Sequence, residues 1–524
     1  MPPDRPPGPA PADAVAYELR LVQTASATGY FAAVPAAHPS VDEALDHLRK
    51  HPLDEYMHRH LLRVLAGLDP VRRKPLFSRL DPGEPLVRAL FEELAALDPS
   101  VSLPGTASSA PVSGGQGHCI ATPLIDIKSA ALPDQPLHRQ WTALFAENLN
   151  GLSPLPTEAE TAMPPPVSDA DIAAGVPRGP GLGDLPPVRT AGGASADAGA
   201  GAEETLSAAL QRLADAGVLD GPELRHHTSL SPVGLLRRWR FDHRVSCGGH
   251  RFRLSGNQTS YGRGFSLETA RIRCVMEIVE RCAAFAGVDQ GRVADRACPT
   301  PLTCGTFTEL CRAPGPPPLN PNRMRLEAPY EDEPLYWIPA TRITAEGEAP
   351  VRVPFQAVYL FANLEEVCLF SGLPSTGLAA GSTPAAARLG ALLEVVERDA
   401  EAVGLFDPSR CFRLAAEDPF VSGLLQDYRD RGIDVFFQDI TGFSGVPCFK
   451  AFVVGRDGTV FKGAGAHPDG RYALLAALTE VPYPYPNGPV SAAGPEALPT
   501  RILEEIPDHS AGGAAADLAR IEHV

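Results

Sequence analysis

Nowhere in this chain of 524 residues do 18 apolar residues run together, so no segment reads as a membrane-spanning helix. The opening Met1-Pro2-Pro3-Asp4-Arg5-Pro6-Pro7 lacks the apolar core of a signal peptide, and the expected location is the cytoplasm. Positive charge is short as well: 46 Lys and Arg face 63 Asp and Glu, a net charge of −17. Binding a phosphate backbone needs basic surface to displace counterions, so nucleic acid is not an expected partner. A magnesium nucleotide is not excluded in this way, because the metal brings its own positive charge. The ten cysteines contain no C-x-x-C pair, and the closest series, Cys298, Cys304 and Cys311, has the wrong spacing for zinc. Scattered reduced thiols are expected instead. No G-x-x-x-x-G-K-[ST] occurs, which removes the P-loop as a way to hold a nucleotide.

Proline and glycine are abundant, at 55 and 48 residues, beside a globular apolar content of 44%. They divide the chain, whose length suggests two to four domains. Residues 1–14 read as disordered, and 15–97 as a helical domain. There Ser40-Val41-Asp42-Glu43 forms a capping box with Leu45 and Leu48 inward. A helix from Pro52 carries Tyr56, Met57, Leu61 and Leu65 on one stripe, and another follows Pro85. His58 and His60, two apart, point away from each other on such a helix and read as solvated or capping residues. Linkers are expected over 98–117 and 154–204, the latter densest at Gly179-Pro180-Gly181-Leu182-Gly183. Between them, within 118–153, Leu137 to Phe145 is a short amphipathic helix that docks on a neighbour.

From about residue 203 the texture becomes α/β. Glu204-Thr205-Leu206-Ser207 opens a helix that stops at Gly217, and Val245 to Leu254 reads as a hairpin around Gly248-Gly249. Strand, glycine-rich loop and acidic helix then recur three times. The first unit runs through Tyr261-Gly262-Arg263-Gly264; the second has Val358-Tyr359-Leu360 as strand and Ser375 to Thr383 as loop. The third has strands Cys448 to Val454 and Val460 to Lys462, then Gly463 to Asp469 and a helix ending at Glu480.

Two of these helices carry the same device. Glu277-Ile278-Val279-Glu280-Arg281 and Glu394-Val395-Val396-Glu397-Arg398 repeat Glu-x-x-Glu-Arg with matching glutamates 117 positions apart. Residues three and four apart share a helical face, so each copy projects two carboxylates and a guanidinium from one stripe. One copy alone is an ordinary solvated face with an internal ion pair. Two copies, each behind glycines, suit a divalent cation with phosphates: magnesium takes hard oxygen ligands and keeps substrate phosphates in its shell. Arg281 and Arg398 would then neutralise phosphate or brace the carboxylates.

These three blocks, in this order, resemble the YcaO domain family over some 320 positions, from about Thr205 to the last residue. The resemblance rests on Gly262-x-Gly264 with Ala270 to Arg281, on Gly377 to Gly381 with Glu394 to Asp399, and on Gly463 to Pro468 with Ala473 to Glu480. It implies an α/β (α+β) ATP-binding domain with internal pseudo-repeats over 205–524, behind an α-helical N-terminal region, and ATP and Mg2+ as cofactors. It implies that ATP activates a backbone amide oxygen of a peptide or protein as a phosphate. A thiol, hydroxyl or sulfide then attacks the carbonyl carbon, giving azolines or thioamides, and another branch assists methylthiolation of a ribosomal protein. A partner protein supplying sulfur chemistry or substrate recognition, and a homodimer, are the expected associations. Carried over by position, Glu277, Glu280, Glu394 and Glu397 hold the metal, Thr205 contacts nucleotide with Glu280, Arg281 and Glu397, and Glu277, Glu394 and Arg398 serve catalysis.

The chain departs from the family pattern at four helpers. Arg273 stands where Ser is usual, Ser382 where Asn is usual, Ala386 where an acid is expected, and Ala476 where an arginine is expected. After Glu480 the proline-rich Val481 to Pro489 cannot continue as helix. The end of the chain, Ala515 to Ile521, reads as the start of an amphipathic helix where family members run on, so the domain is expected to be incomplete there. Two functional readings follow: an ATP-dependent backbone-modifying protein, or a degenerate member that no longer turns over ATP and serves as a scaffold or partner-binding subunit.

Overall fold

The structure, a computed structural model, describes residues 14–23, 29–98, 122–157, 160–161, 163–165 and 198–506, except 248, 294–298, 325, 345–346, 361–363 and 373–374. Residues 1–13, Gly179 to Gly183, Cys298, the expected helix over Ala515 to Ile521 and most of both linkers lie outside the described residues. In chain order the elements begin with β1 (Val15–Gln23), β2 (Gly29–Pro35), α1 (Val41–Lys50), α2 (Glu55–Ala66), α3 (Pro70–Arg79), α4 (Pro85–Leu97), α5 (Ile125–Ala130) and α6 (Gln135–Gly151). Next come α7 (Ala198–Asp215), β3 (Leu219–Arg225), β4 (Val233–Cys247), β5 (His250–Gly264), α8 (Leu267–Ala284), β6 (Val288–Asp289), β7 (Arg292–Val293), β8 (Thr303–Gly305) and α9 (Phe307–Arg312). The rest are β9 (Leu335–Thr344), β10 (Gly347–Pro354), α10 (Pro384–Val403), β11 (Cys411–Ala415), α11 (Pro419–Asp430), β12 (Phe436–Asp439), β13 (Cys448–Val454), β14 (Val460–Ala466), α12 (Gly470–Glu480) and β15 (Thr500–Ile502). The fold is mixed α/β, and among the described residues no helix is long and apolar enough to cross a membrane.

Contacts gather the chain into two compact units that interleave in sequence: 1–135, 240–257 and 282–374 form one, and 136–239, 258–281 and 375–524 the other. Each unit is discontinuous because segments remote in sequence share a sheet. In the first unit β1 lies parallel to β5, Val15 opposite Phe252, and antiparallel to β2, Tyr17 opposite Pro35. These strands correct the expectation of helix over all of 15–97. Tyr17 and Leu19 are buried while Ala16 and Arg20 are exposed, a period of two that marks strand. Helices begin at Val41, where the Ser40–Glu43 capping box forms as expected. Helix α2 starts at Glu55 under an Asp54 cap rather than at Pro52. His58 is buried, not solvated: its Nε2 is 2.7 Å from Glu93 Oε2, and both side chains are enclosed. Position 58 lies three and four residues before Leu61 and Leu62, so the stripe that buries those leucines takes the histidine inward with them.

The second unit is built on the sheet β14-β13-β12-β11-β15. Its hairpin turns through Arg456-Asp457-Gly458, and Gly458 has φ +84°, a left-handed value that glycine adopts without steric cost. Helix α12 packs on β13 and β14 with Ala473, Leu474, Ala477 and Leu478 fully buried beside Phe412, Phe437 and Phe449. It ends at Glu480, and Val481 to Pro489 is non-helical, as the prolines require. The expected amphipathic segment, Leu137 to Phe145, lies within α6; beyond it in the same helix the buried Asn148 donates to Phe406 O at 3.1 Å and accepts from Phe406 N at 2.7 Å. Helix α7 runs past the expected start, so Glu204 and Thr205 lie inside it, and it stops at Gly217, φ +62°.

Two glycine-rich segments are strand rather than loop. Gly262 and Gly264 belong to β5, and Gly463 and Gly465 to β14. A Cβ on Gly262 would sit on the Ala270 carbonyl oxygen and 2.6 Å from Cys274 Cβ; one on Gly463 would lie 2.5 Å from Ala477 O. These glycines therefore let α8 and α12 lie directly on their strands. Val358-Tyr359-Leu360 is not a strand: a 3-10 turn covers Phe355–Ala357, and Leu360 makes an isolated bridge with Phe285.

Candidate functional site

Helix α8 places Glu277, Glu280 and Arg281 on one face, and α10 does the same with Glu394, Glu397 and Arg398. The second unit folds so that both stripes line one cavity of about 540 Å3. The four glutamates and two arginines singled out by spacing are thus brought together. Thr205 is not: it sits half-buried on α7 and is absent from the cavity wall. Among the helper positions, Arg273 and Ala476 line the cavity, while Ser382 and Ala386 do not.

Further charged groups complete the wall: Arg263, Glu401, Lys462 and Glu480. Glu401 was legible, since it lies four residues after Glu397 and extends the same stripe. Glu480, the last residue of α12, has no acidic neighbour at helical spacing, and Lys462 and Arg263 sit on strands, so only folding reveals them. Arg263, Arg281 and Arg398 are tied to carboxylates. Arg398 Nε donates to Glu394 at 3.0 Å and its Nη1 to Glu401 at 3.3 Å; Arg281 Nη1 lies 3.1 Å from Glu280; Arg263 pairs with Glu480. Backbone amides hold two glutamates, Tyr261 N donating to Glu277 at 2.8 Å and Ala466 N to Glu397 at 3.0 Å.

Carboxylates outnumber cations on this wall, and burial makes Glu277, Glu280 and Glu397 hard to ionise. Glu280 is pushed up to about 7, first by burial and then by Glu277 and Glu394, against the pull of Arg281. Glu397 is likewise pushed up to about 7, by burial and then by Glu394 and Glu480, with Arg398 and the Ala466 amide opposing. Burial also raises Glu277, offset by the Tyr261 amide and Arg281. Such a set is short of positive charge that a divalent cation would supply. The wall also contains buried donors without an acceptor: Arg263 Nε, and Arg281 Nη1, which is near Glu280 but lacks hydrogen-bond geometry. Unmet donors beside crowded carboxylates fit a cation carrying an anionic, phosphate-rich ligand.

Residues 261–483 match the model of a family described as YcaO cyclodehydratase, ATP- and Mg2+-binding. An uncharacterized protein of Methanothermobacter thermautotrophicus is 34% identical over 160 residues, 28% of this chain and 40% of that protein. An uncharacterized protein in the tfuA 3′ region of Rhizobium leguminosarum bv. trifolii is 30% identical over 236 residues, 42% of this chain and 53% of that one. The chain thus spans about half, or less, of the length of the curated relatives it matches. Among solved structures, a heterocyclase in complex with substrate and cofactor aligns at 21% identity and TM-score 0.41, over 60% of this chain and 48% of that one. The YcaO protein of Methanopyrus kandleri bound with AMPPCP and Mg2+ aligns at 21% identity and TM-score 0.39, over 59% and 77%. The residues that match this family, 261–483, contain both acidic stripes.

Proposed function

We propose that this protein binds Mg-ATP in the acidic cavity and uses it to activate a backbone amide of a peptide or protein. The observation that carries the reading is the convergence of Glu277, Glu280, Glu394 and Glu397 on one cavity where Arg263 and Arg281 retain unmet donors. The glutamates would hold magnesium, and Arg263, Arg281 and Arg398 would meet phosphate oxygens. When bound, Mg-ATP would supply the phosphoryl group that makes the amide oxygen a leaving group for attack by a thiol, hydroxyl or sulfide. The chain's own contribution is positioning and charge neutralisation, which is most of what phosphoryl transfer asks of a protein. Calorimetry on the full chain tests the reading: Mg-dependent ATP binding is expected, and its absence at millimolar Mg2+ would sink it.

A second reading, a degenerate member acting as scaffold or partner-binding subunit, is favoured by Ala476, where the wall lacks the guanidinium expected by resemblance. Arg273 bears on this directly, because it lines the same cavity from α8. Its Nη1 donates to Arg263 O at 3.2 Å, which holds the side chain along the wall. In the active reading Arg273 restores from one helix the charge missing from the other. Arg273→Ala is then expected to weaken Mg-ATP binding by about tenfold, one charge-assisted contact, and Ala476→Arg to recover most of it in the Arg273→Ala background. An unchanged affinity in Arg273→Ala would remove the compensation.

Binding is also expected to depend on pH. Mg-ATP requires ionised carboxylates, whereas Glu280 and Glu397 are half protonated near pH 7. Affinity should rise as pH goes from about 6 to 8, with protons released on binding, seen by calorimetry in buffers of different ionisation enthalpy. The stability of the nucleotide-free protein moves the other way. A carboxyl raised in the folded state contributes most below its unfolded value of about 4.5, and that contribution is lost as pH climbs through about 7.

A further inference from the structure

Away from the acidic cavity, in the first unit, three side chains from three elements converge on one atom. His47 stands in the last turn of α1, Asp54 caps the start of α2, and His250 opens β5. His47 Nε2 and His250 Nε2 lie 2.7 and 2.8 Å from the same oxygen, Asp54 Oδ2. Tyr17 donates its hydroxyl to that oxygen as well, at 2.5 Å, while Asp54 Oδ1 accepts from Met57 N at 3.0 Å. A carboxylate oxygen offers about two lone-pair sites, so three donors over-subscribe Oδ2. Asp54 and His250 are 0 and 1% exposed, so bulk water does not relieve the crowding. A third imidazole, His51, stacks on His250 with ring centroids 4.2 Å apart.

We propose that His47, Asp54 and His250 form a zinc site. The three ligand atoms lie within 4.8 Å of one another. Two imidazole nitrogens with one carboxylate oxygen suit zinc, which accepts mixed nitrogen and oxygen donors, and not magnesium, which selects oxygen. Tetrahedral zinc with bonds of about 2.0–2.1 Å sets its ligand atoms about 3.3 Å apart, so each ring withdraws from Asp54 by about half an ångström and the two ring nitrogens adjust toward the same spacing from within 4.8 Å. The over-subscription then ends: both Nε2 atoms present lone pairs to the metal, and Tyr17 alone donates to Oδ2, holding the carboxylate in orientation. Water completes the fourth position. The ion ties α1 and α2 to a strand whose ligand follows Asp54 by 196 residues. Cysteine spacing, which argues against a thiolate zinc site, says nothing of histidines this far apart.

The test is the metal content of the untagged full chain, produced with zinc in the medium and dialysed against chelator-free buffer. About one zinc per chain is expected by elemental analysis. It should fall below about a tenth in His47→Gln and His250→Gln, and stay in Glu394→Gln, which separates this site from the acidic cavity. In the wild type, Co2+ alone should give the visible absorption of a tetrahedral nitrogen and oxygen site, displaced by Zn2+, a reading that needs no variant to fold. A wild-type chain without zinc and without the cobalt spectrum overturns the proposal, as do histidine variants that keep their zinc; the cluster is then a hydrogen-bonded group only.

Discussion

Glu394→Gln is expected to lower the affinity for Mg-ATP by roughly ten- to a hundredfold, the cost of one lost charge-assisted contact of about 1.5–3 kcal/mol. The same change should leave the melting temperature of the nucleotide-free protein unchanged or slightly raised. Glu394 lies in the same carboxylate group as Glu280 and Glu397 and makes both harder to ionise, so neutralising it relieves repulsion. Its pair with Arg398 is an i,i+4 contact in which the arginine is about half exposed, and such pairs contribute only about 0.3–0.5 kcal/mol. Opposite signs for binding and stability are the signature of charge held together for a ligand. Titration with ATP at fixed Mg2+, beside a thermal melt, reads both. Equal affinity for variant and wild type would show that Glu394 does not hold the metal, and a large loss of stability would show that its role is structural.

Gly262→Ala is expected to destabilise the second unit by about 3 kcal/mol and to weaken Mg-ATP binding with it. The new Cβ would meet the backbone oxygen of Ala270, which cannot step aside as a flexible side chain does. Helix α8 must then lift from β5, taking Glu277 and Glu280 with it. Gly423, inside α11, has nothing within 4 Å of a built Cβ, and there alanine should stabilise by about 0.5–1 kcal/mol. Denaturant midpoints of the two variants should therefore move in opposite directions. A Gly262→Ala chain with wild-type stability and binding would mean that the close approach of strand and helix does not set the site.

The contrast between these glycines shows what the sequence conveyed. The Glu-x-x-Glu-Arg spacing was enough to place two carboxylates and a guanidinium on one helical face, because helical periodicity is local and fixed by backbone geometry. The capping box at Ser40 and the stop at Gly217 were legible for the same reason. The glycines beside them were ambiguous: a bare amide for a ligand and room for a neighbouring helix need the same missing side chain, and at Gly262 and Gly463 the second use is the one found. Thr205, assigned by resemblance alone, lies on α7 away from the cavity wall.

By itself the sequence determined the acidic stripes, their repetition, the lack of a P-loop, and the N-terminal helices that open at Val41 and Pro85. It did not determine that both stripes meet in one cavity with Arg273, Lys462 and Glu480, nor that β1 joins β5, nor that His47, Asp54 and His250 share one point. Spacing rules reach about one helical turn or one strand pair, whereas these groupings join residues up to hundreds of positions apart. Only burial of the apolar faces between them, a property of the whole chain, brings them together.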